Sequence, residues 1–255
     1  MKKFLFILSL FVLPLTFISC GGDDEPDYPD QTLVVGSTYA IPGGTTGWTS
    51  DNELIASVST TGVVAERVGE TYIRNGNKSF KVTVTGKFNL YREPCMQWHA
   101  SKTTVKNFMS DYTLQSETDN ALYYKGKLRE LLTGYSFKNS GLELSSVALA
   151  AALVDAGDMV DFLLERYVYV THDEDQYYYG FVTPDKKNIV LMQLQTVSSQ
   201  VVYFISYAEF TSTSSAPAMI KKMAKEQPIK ANPEFKATYR NFSDKMLEMK
   251  SDYIK

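Results

Sequence analysis

Ser101-Lys102-Thr103-Thr104-Val105-Lys106-Asn107-Phe108-Met109-Ser110-Asp111-Tyr112 decides the fold of the larger part of this chain. Val105, Phe108, Met109 and Tyr112 fall at i, i+3, i+4 and i+7, a single helical stripe, and Ser101 is placed to cap it. Val160, Leu163, Leu164 and Tyr167 repeat that spacing 55 residues later. The same offset carries Tyr123-Tyr124 onto Tyr178-Tyr179, Phe137 onto Met192, Val147 onto Val202 and Leu149 onto Phe204. Short apolar or aromatic runs broken by turns follow each helix. They lie near 112–116, 121–125, 133–138 and 142–150, then 167–171, 177–182, 188–195 and 200–207. The pattern predicts a duplicated helix-plus-four-strand α+β domain over 98–210, with repeats at about 98–152 and 155–207. Ser145–Val154 is alanine-rich and favours helix by propensity, but its place in the repeat predicts strand for its first half.

Downstream, residues 211–255 read as a C-terminal helical region. Asn232-Pro233 supplies an N-cap and a proline at the first helical position. Phe235, Tyr239, Phe242, Met246 and Met249 then form a long apolar stripe, and a shorter helix is expected after Ser215. This tail holds nine basic and five acidic residues. Docking of the stripe on the chain's own sheet is the expectation, and a membrane-surface role is the alternative. On the strands, neighbouring tyrosines must point to opposite faces. Tyr123, Tyr177 and Tyr179 are therefore the candidate binding residues, for a protein or glycan ligand at an exposed sheet face.

Upstream, residues 31–86 show strands of three to six residues separated by Gly, Asn or Asp, the pattern of an antiparallel sandwich. Phe80, Val82 and Val84 alternate with Lys81, Thr83 and Thr85. Trp48-Thr49-Ser50-Asp51-Asn52, Ile55-Ala56-Ser57-Val58, Thr61-Gly62-Val63-Val64, Gly69 and Lys81-Val82-Thr83-Val84 together resemble the group 2 bacterial immunoglobulin-like domain. That resemblance implies a spacer or adhesive module in which Trp48 pins the core. The helix-then-four-strands order, used twice, is similar in layout to the tandem repeat of the beta-lactamase inhibitor protein, whose kind of repeat presents a concave sheet face to another protein. Glu93-Pro94-Cys95, Trp98-His99-Ala100-Ser101-Lys102 and Asp161-Phe162-Leu163-Leu164-Glu165-Arg166-Tyr167 resemble uncharacterised Bacteroides surface lipoproteins.

The first 19 residues read as a signal peptide: Lys2-Lys3, then an apolar run too short to span a bilayer and interrupted by Pro14. Phe17-Ile18-Ser19-Cys20-Gly21-Gly22 resembles a lipoprotein lipobox, which implies lipidation of Cys20 and attachment to a membrane through that lipid. Residues 20–30 form an acidic tether with no apolar periodicity. Its acidic start resembles the export signal of surface-displayed lipoproteins, and a plain acidic linker is the other reading. Beyond residue 19 there are 24 basic and 29 acidic residues, a balance that argues against a nucleic-acid partner. With Cys20 committed to lipid, Cys95 has no disulfide partner and is expected to be a small buried hydrophobe.

Only two histidines are present. His99, four residues from Cys95, suggests a thiol–imidazole pair or half a zinc site, but the other half is missing. His172-Asp173-Glu174-Asp175 lacks the alternating ligands and glycine of a calcium loop and reads as a solvated turn. No nucleophile elbow, phosphate loop or zinc-protease motif occurs. The expected fold is therefore mostly β and α+β: an immunoglobulin-like β-sandwich, the duplicated domain and C-terminal helices. The expected function is non-catalytic binding, adhesion or scaffolding in the cell envelope, at the outer membrane and on its surface face, without cofactor or metal. An envelope hydrolase with an unrecognised site is the alternative.

Overall fold

The computed structural model describes residues 28–253 apart from 212, 228, 230 and 231, so the leader, Cys20 and most of the tether lie outside the described residues. The chain is mostly β. Its first unit has two small sheets. One runs β1 (Gln31–Val34), β7 (Lys78–Thr85), β6 (Gly69–Asn75) and β3 (Thr49–Ser50); the other runs β2 (Thr38–Tyr39), β5 (Gly62–Ala65) and β4 (Ala56–Ser59). β1 lies parallel to β7, whereas the other pairs are antiparallel. Phe80, Val82 and Val84 turn inward from β7 as their alternation predicts, and they meet Ile55, Val63, Ile73 and Trp48 in one apolar core. Trp48 is buried with its ring edge-on to Phe80 at 5.5 Å, the core-pin role its position implied.

The second unit is built on one eight-stranded sheet. The capping stretch from Ser101 forms α1 (Lys102–Phe108), with Ser101 Oγ accepting the Thr104 N–H. It leads into β8 (Thr113–Thr118), β9 (Ala121–Lys125), β10 (Glu130–Lys138) and β11 (Gly141–Ala150). After a short 3-10 helix at Ala151–Leu153 comes α2 (Ala156–Arg166), capped by Asp155. Then follow β12 (Val168–Asp173), β13 (Tyr178–Val182), β14 (Asn188–Val197) and β15 (Gln200–Glu209). A helix and a four-stranded meander thus occur twice. The meanders join antiparallel through β11 and β15, giving the order β12-β13-β14-β15-β11-β10-β9-β8. The alanine-rich stretch is strand to Ala150, where context overrides propensity.

The constant 55-residue offset does not survive the last strands. Val147 pairs with Ile205 and shares its face, so Val202, three residues from Ile205, points to the other side. Val147 and Val202 therefore lie on opposite faces, as do Leu149 and Phe204, whereas Tyr124 and Tyr179 share one. The physical cause is a bulge between Ser136 and Phe137 in the β10–β11 ladder, with no counterpart in β14–β15.

One sheet face carries the larger core. α1 covers its first half through Val105 and Met109. α2 and α4 (Pro233–Tyr253) cover its second half through Val160, Phe162, Leu163, Phe235, Tyr239, Phe242 and Met246. α3 (Ala216–Glu226) packs on the other face, with Ile220 and Met223 against Tyr178, Ile189 and Leu191. Gly180 is required there, because a Cβ would lie 2.5 Å from Ile220. Among the described residues no helix is long and apolar enough to cross a membrane.

The end of α2 fastens the two units together. The Glu165 carboxylate is only 1 % exposed and accepts the backbone N–H groups of Lys87 and Phe88 at 3.0 and 3.2 Å. Arg166 pairs with Glu165 at 3.3 Å and donates to the Phe88 carbonyl at 2.8 Å. The Glu165 carbonyl accepts from Val68 of the first unit, and Asn52 donates to the Pro184 carbonyl. Gly86 lets the linker pass, since a Cβ would sit 2.8 Å from both Glu165 and Arg166 side chains.

Candidate functional site

Among the described residues, the sheet face opposite α2 and α4 is covered over only half its width. In the second meander Tyr178 lies beneath Ile220 and Met223 of α3. Tyr123, its counterpart at the 55-residue offset, points to the same face of the first meander and is 36 % exposed. Its ring rests over Gly134, the residue opposite it on β10, where a Cβ would come within 3.3–3.4 Å of the ring carbons. Beside it runs a groove of about 310 Å³ with a floor of Gly134 and Ser146 and sides of Ser136, Leu144 and Phe204. Gln195 and Gln227 stand on its rim, and Gln227 Oε1 accepts the Ser206 hydroxyl at 3.0 Å. The lining has no charged side chain. Such a surface suits a partner offering apolar groups and backbone amides over one offering a charge.

Tyr177 and Tyr179 are placed differently from Tyr123. Tyr179 is 5 % exposed, meets the tilted ring of Phe242 of α4 at 5.0 Å and donates its hydroxyl to Ser243 at 2.8 Å. Burial pushes the Tyr179 phenol above its ordinary range. Tyr177 is half-buried, edge-on to Phe235 and Tyr239. The C-terminal helix thus covers both, as the amphipathic stripe allowed. An open aromatic face is met at Tyr123 and not at the other two. Cys20 lies outside the described residues.

The titratable candidates separate in space. Cys95 is buried in the α1 core, with its N–H donated to Tyr135 Oη at 3.2 Å and its carbonyl accepting from Ser145 at 2.6 Å. His99 is on the surface and pairs with Glu209 at 2.9 Å. His172 Nδ1 bonds Tyr169 Oη at 2.7 Å and its ring stacks on Tyr179. Asp173 folds the acidic turn by accepting the N–H groups of Asp175 and Gln176. Among the described residues no three His, Cys, Asp or Glu side chains converge as a metal site would require.

One network was not foreseen from spacing. Tyr91 Oη lies 2.5 Å from Tyr207 Oη, which is 3.0 Å from Tyr167 Oη, and Tyr167 donates to Glu93. Because the one Tyr167 proton goes to Glu93, Tyr167 accepts from Tyr207, and Tyr207 accepts from Tyr91. All three hydroxyl protons therefore point along the chain toward one carboxylate. Burial, with the Glu93 charge beside it, raises the Tyr167 phenol well above its ordinary range. This is a structural tie: it links β15, α2 and the segment leading out of the joint. The Glu93 and Tyr167 stretches quoted above as separate motifs meet in it.

The chain matches no family model, no characterised protein and no solved structure. The surfaces themselves therefore carry the functional reading.

Proposed function

We propose that this protein is a lipid-anchored cell-envelope binding protein, held by lipid on Cys20 and displayed at the outer membrane. In this reading residues 31–86 are a group 2 bacterial immunoglobulin-like spacer. The α+β unit arose by duplication and presents the recognition surface. The partner is a protein that docks on the groove beside Tyr123. The observation that supports this is the uneven covering of one sheet face. The second meander shows what closing that face takes, an amphipathic helix bearing Ile220 and Met223, and among the described residues the first meander has no such helix. Tyr123, Leu144 and Phe204 supply apolar contact area, and Ser136, Gln195 and Gln227 supply adaptable hydrogen bonds.

The experiment is site-specific photo-crosslinking in the intact envelope of the native host. A crosslinker replacing Tyr123 or Ser136 is expected to give the same discrete protein adduct, and one replacing Lys78 on the first unit is not. Adducts that are absent, or identical from all three positions, reject the recognition surface. The anchor is tested separately: Cys20→Ala is expected to move the protein from the membrane to the soluble fraction, and retention with membranes rejects lipidation.

A further inference from the structure

A second concavity lies where the two units meet, away from the groove at Tyr123. It encloses about 560 Å³, within the range of about 300–1,000 Å³ that holds small organic ligands. One wall comes from β6 and β7, with Glu70, Tyr72 and Lys81; the other comes from Glu93 in the segment before α1, Arg166 at the end of α2, and Asp185 and Lys187 in the turn before β14. Both walls are fixed relative to each other by the Glu165–Arg166 clamp on the linker and by the Asn52 bond to Pro184. The cleft is thus formed before any ligand arrives, which removes an ordering cost from binding.

Most of its charges are paired in place. The lining carries three carboxylates, Glu70, Glu93 and Asp185, and three cations, Lys81, Arg166 and Lys187. Lys81 pairs with Glu70 at 3.4 Å, Lys187 with Asp185 at 3.3 Å, and Arg166 with buried Glu165. Glu93 Oε1 accepts from Tyr167, and Thr183 donates to Asp185 at 2.6 Å. Burial tends to raise the Asp185 carboxyl, but hydrogen bonds from Thr183 and Lys187 outweigh it and hold the group below its ordinary range, so it stays ionised. Glu93 takes no cation in these pairs, so the lining is slightly acidic and disfavours an anionic ligand. A polyol does better: its hydroxyls donate to the outer carboxylate oxygens and accept from the ammonium groups, without breaking the pairs. Tyr72, 45 % exposed, adds an aromatic ring to the same wall, with Arg74 lying over one of its faces at 5.0 Å.

We infer that the cleft between the two units binds a neutral saccharide, with Tyr72 stacking on the sugar face and Glu70, Glu93, Asp185 and Lys187 bonding its hydroxyls. This site is separate from the proposed protein-docking groove and stands whether or not that reading holds. The test is saturation-transfer NMR and calorimetry on the full chain in detergent. The probes are glucose, galactose, mannose, xylose, N-acetylglucosamine and their neutral hexamers, with glucuronate and a sulfated glycan as charged controls. At least one neutral probe is expected to bind saturably. Tyr72→Ala is expected to weaken it about tenfold, the loss of one aromatic contact, while Tyr72→Phe retains it. Asp185→Asn weakens it as well, and Tyr123→Ala leaves it unchanged. Both altered residues of the cleft are partly exposed, and unchanged melting temperatures confirm that the variants fold. The inference is overturned if no neutral probe saturates, if only the charged controls bind, or if binding is indifferent to Tyr72→Ala and Asp185→Asn.

Discussion

Tyr123 and Tyr178 occupy the same face of the same sheet, one in each meander, yet one is at the surface and the other under a helix. The strands around them are laid out alike. The difference comes from what the chain adds after β15, where α3 returns to one half only and α4 crosses to the opposite face. Two similar meanders thereby acquire different structural tasks: the second is closed into a core on both faces, and among the described residues the first keeps one face uncovered. Secondary-structure order alone does not assign those tasks; the last 40 or so residues do.

That contrast can be broken most severely from the covered side. Phe242→Ala, on the buried face of α4, is expected to cost about 3–5 kcal/mol in urea denaturation, because a fully buried ring leaves a cavity against Tyr179 and Tyr203. Glu165→Ala should cost a similar ~3–5 kcal/mol by leaving Arg166 and two linker N–H groups without their partner. It should also split one calorimetric transition into two as the units uncouple, and a single unshifted transition would show the joint to be incidental. Ile220→Ala, which opens the second meander to resemble the first, should cost about 2–5 kcal/mol and expose Tyr178 to solvent quenchers.

A pH experiment reads the covered tyrosines together. Burial pushes the Tyr203 phenol up to about 12 from 10.0, and Tyr91, Tyr167 and Tyr207 rise by the same cause. These groups bind their protons more tightly when folded. The Tyr203 contribution is therefore complete below pH 10.0 and lost as the pH climbs through about 12, and the other three hold theirs to higher pH. Tyrosinate absorbance should rise cooperatively with unfolding in that window; independent titration before unfolding would mean that the tyrosines are accessible. The smallest effect belongs to the open half. Tyr123→Ala should change stability by about 1 kcal/mol or less, the span of strand propensities, while abolishing the photo-crosslinked partner's binding. A larger loss of stability would make Tyr123 a core residue and remove the contrast.

Much of this architecture is legible in the residues. The stripes at Val105–Tyr112 and Val160–Tyr167, the cap at Ser101, the alternation in β7 and the run from Phe235 to Met246 each reflect local periodicity, and each becomes the expected element. The division of labour between α3 and α4 is not local, because nothing in either stripe says which sheet face it will meet. Glu165 illustrates the same limit at the site. On a helical wheel it is one more acid beside an arginine, and only the close passage of Gly86 turns it into a clamp. The bulge in β11 likewise escapes a fixed-offset comparison, since one extra residue reverses every later side chain.

The parallel pairing of β1 with β7 has a mechanical consequence. Gln31 lies at the N-terminal end of β1, and Thr85 lies at the other end of the ladder, just before the joint. Tension between those points slides β1 along β7. It therefore strains the evenly spaced bonds of the four paired positions together, where an unzipping geometry would present them singly. Lys81 N–H to Asp30 and Val35 N–H to Thr85 extend the loaded row at both ends. A pull on whatever the second unit holds would be resisted in shear by this strand pair.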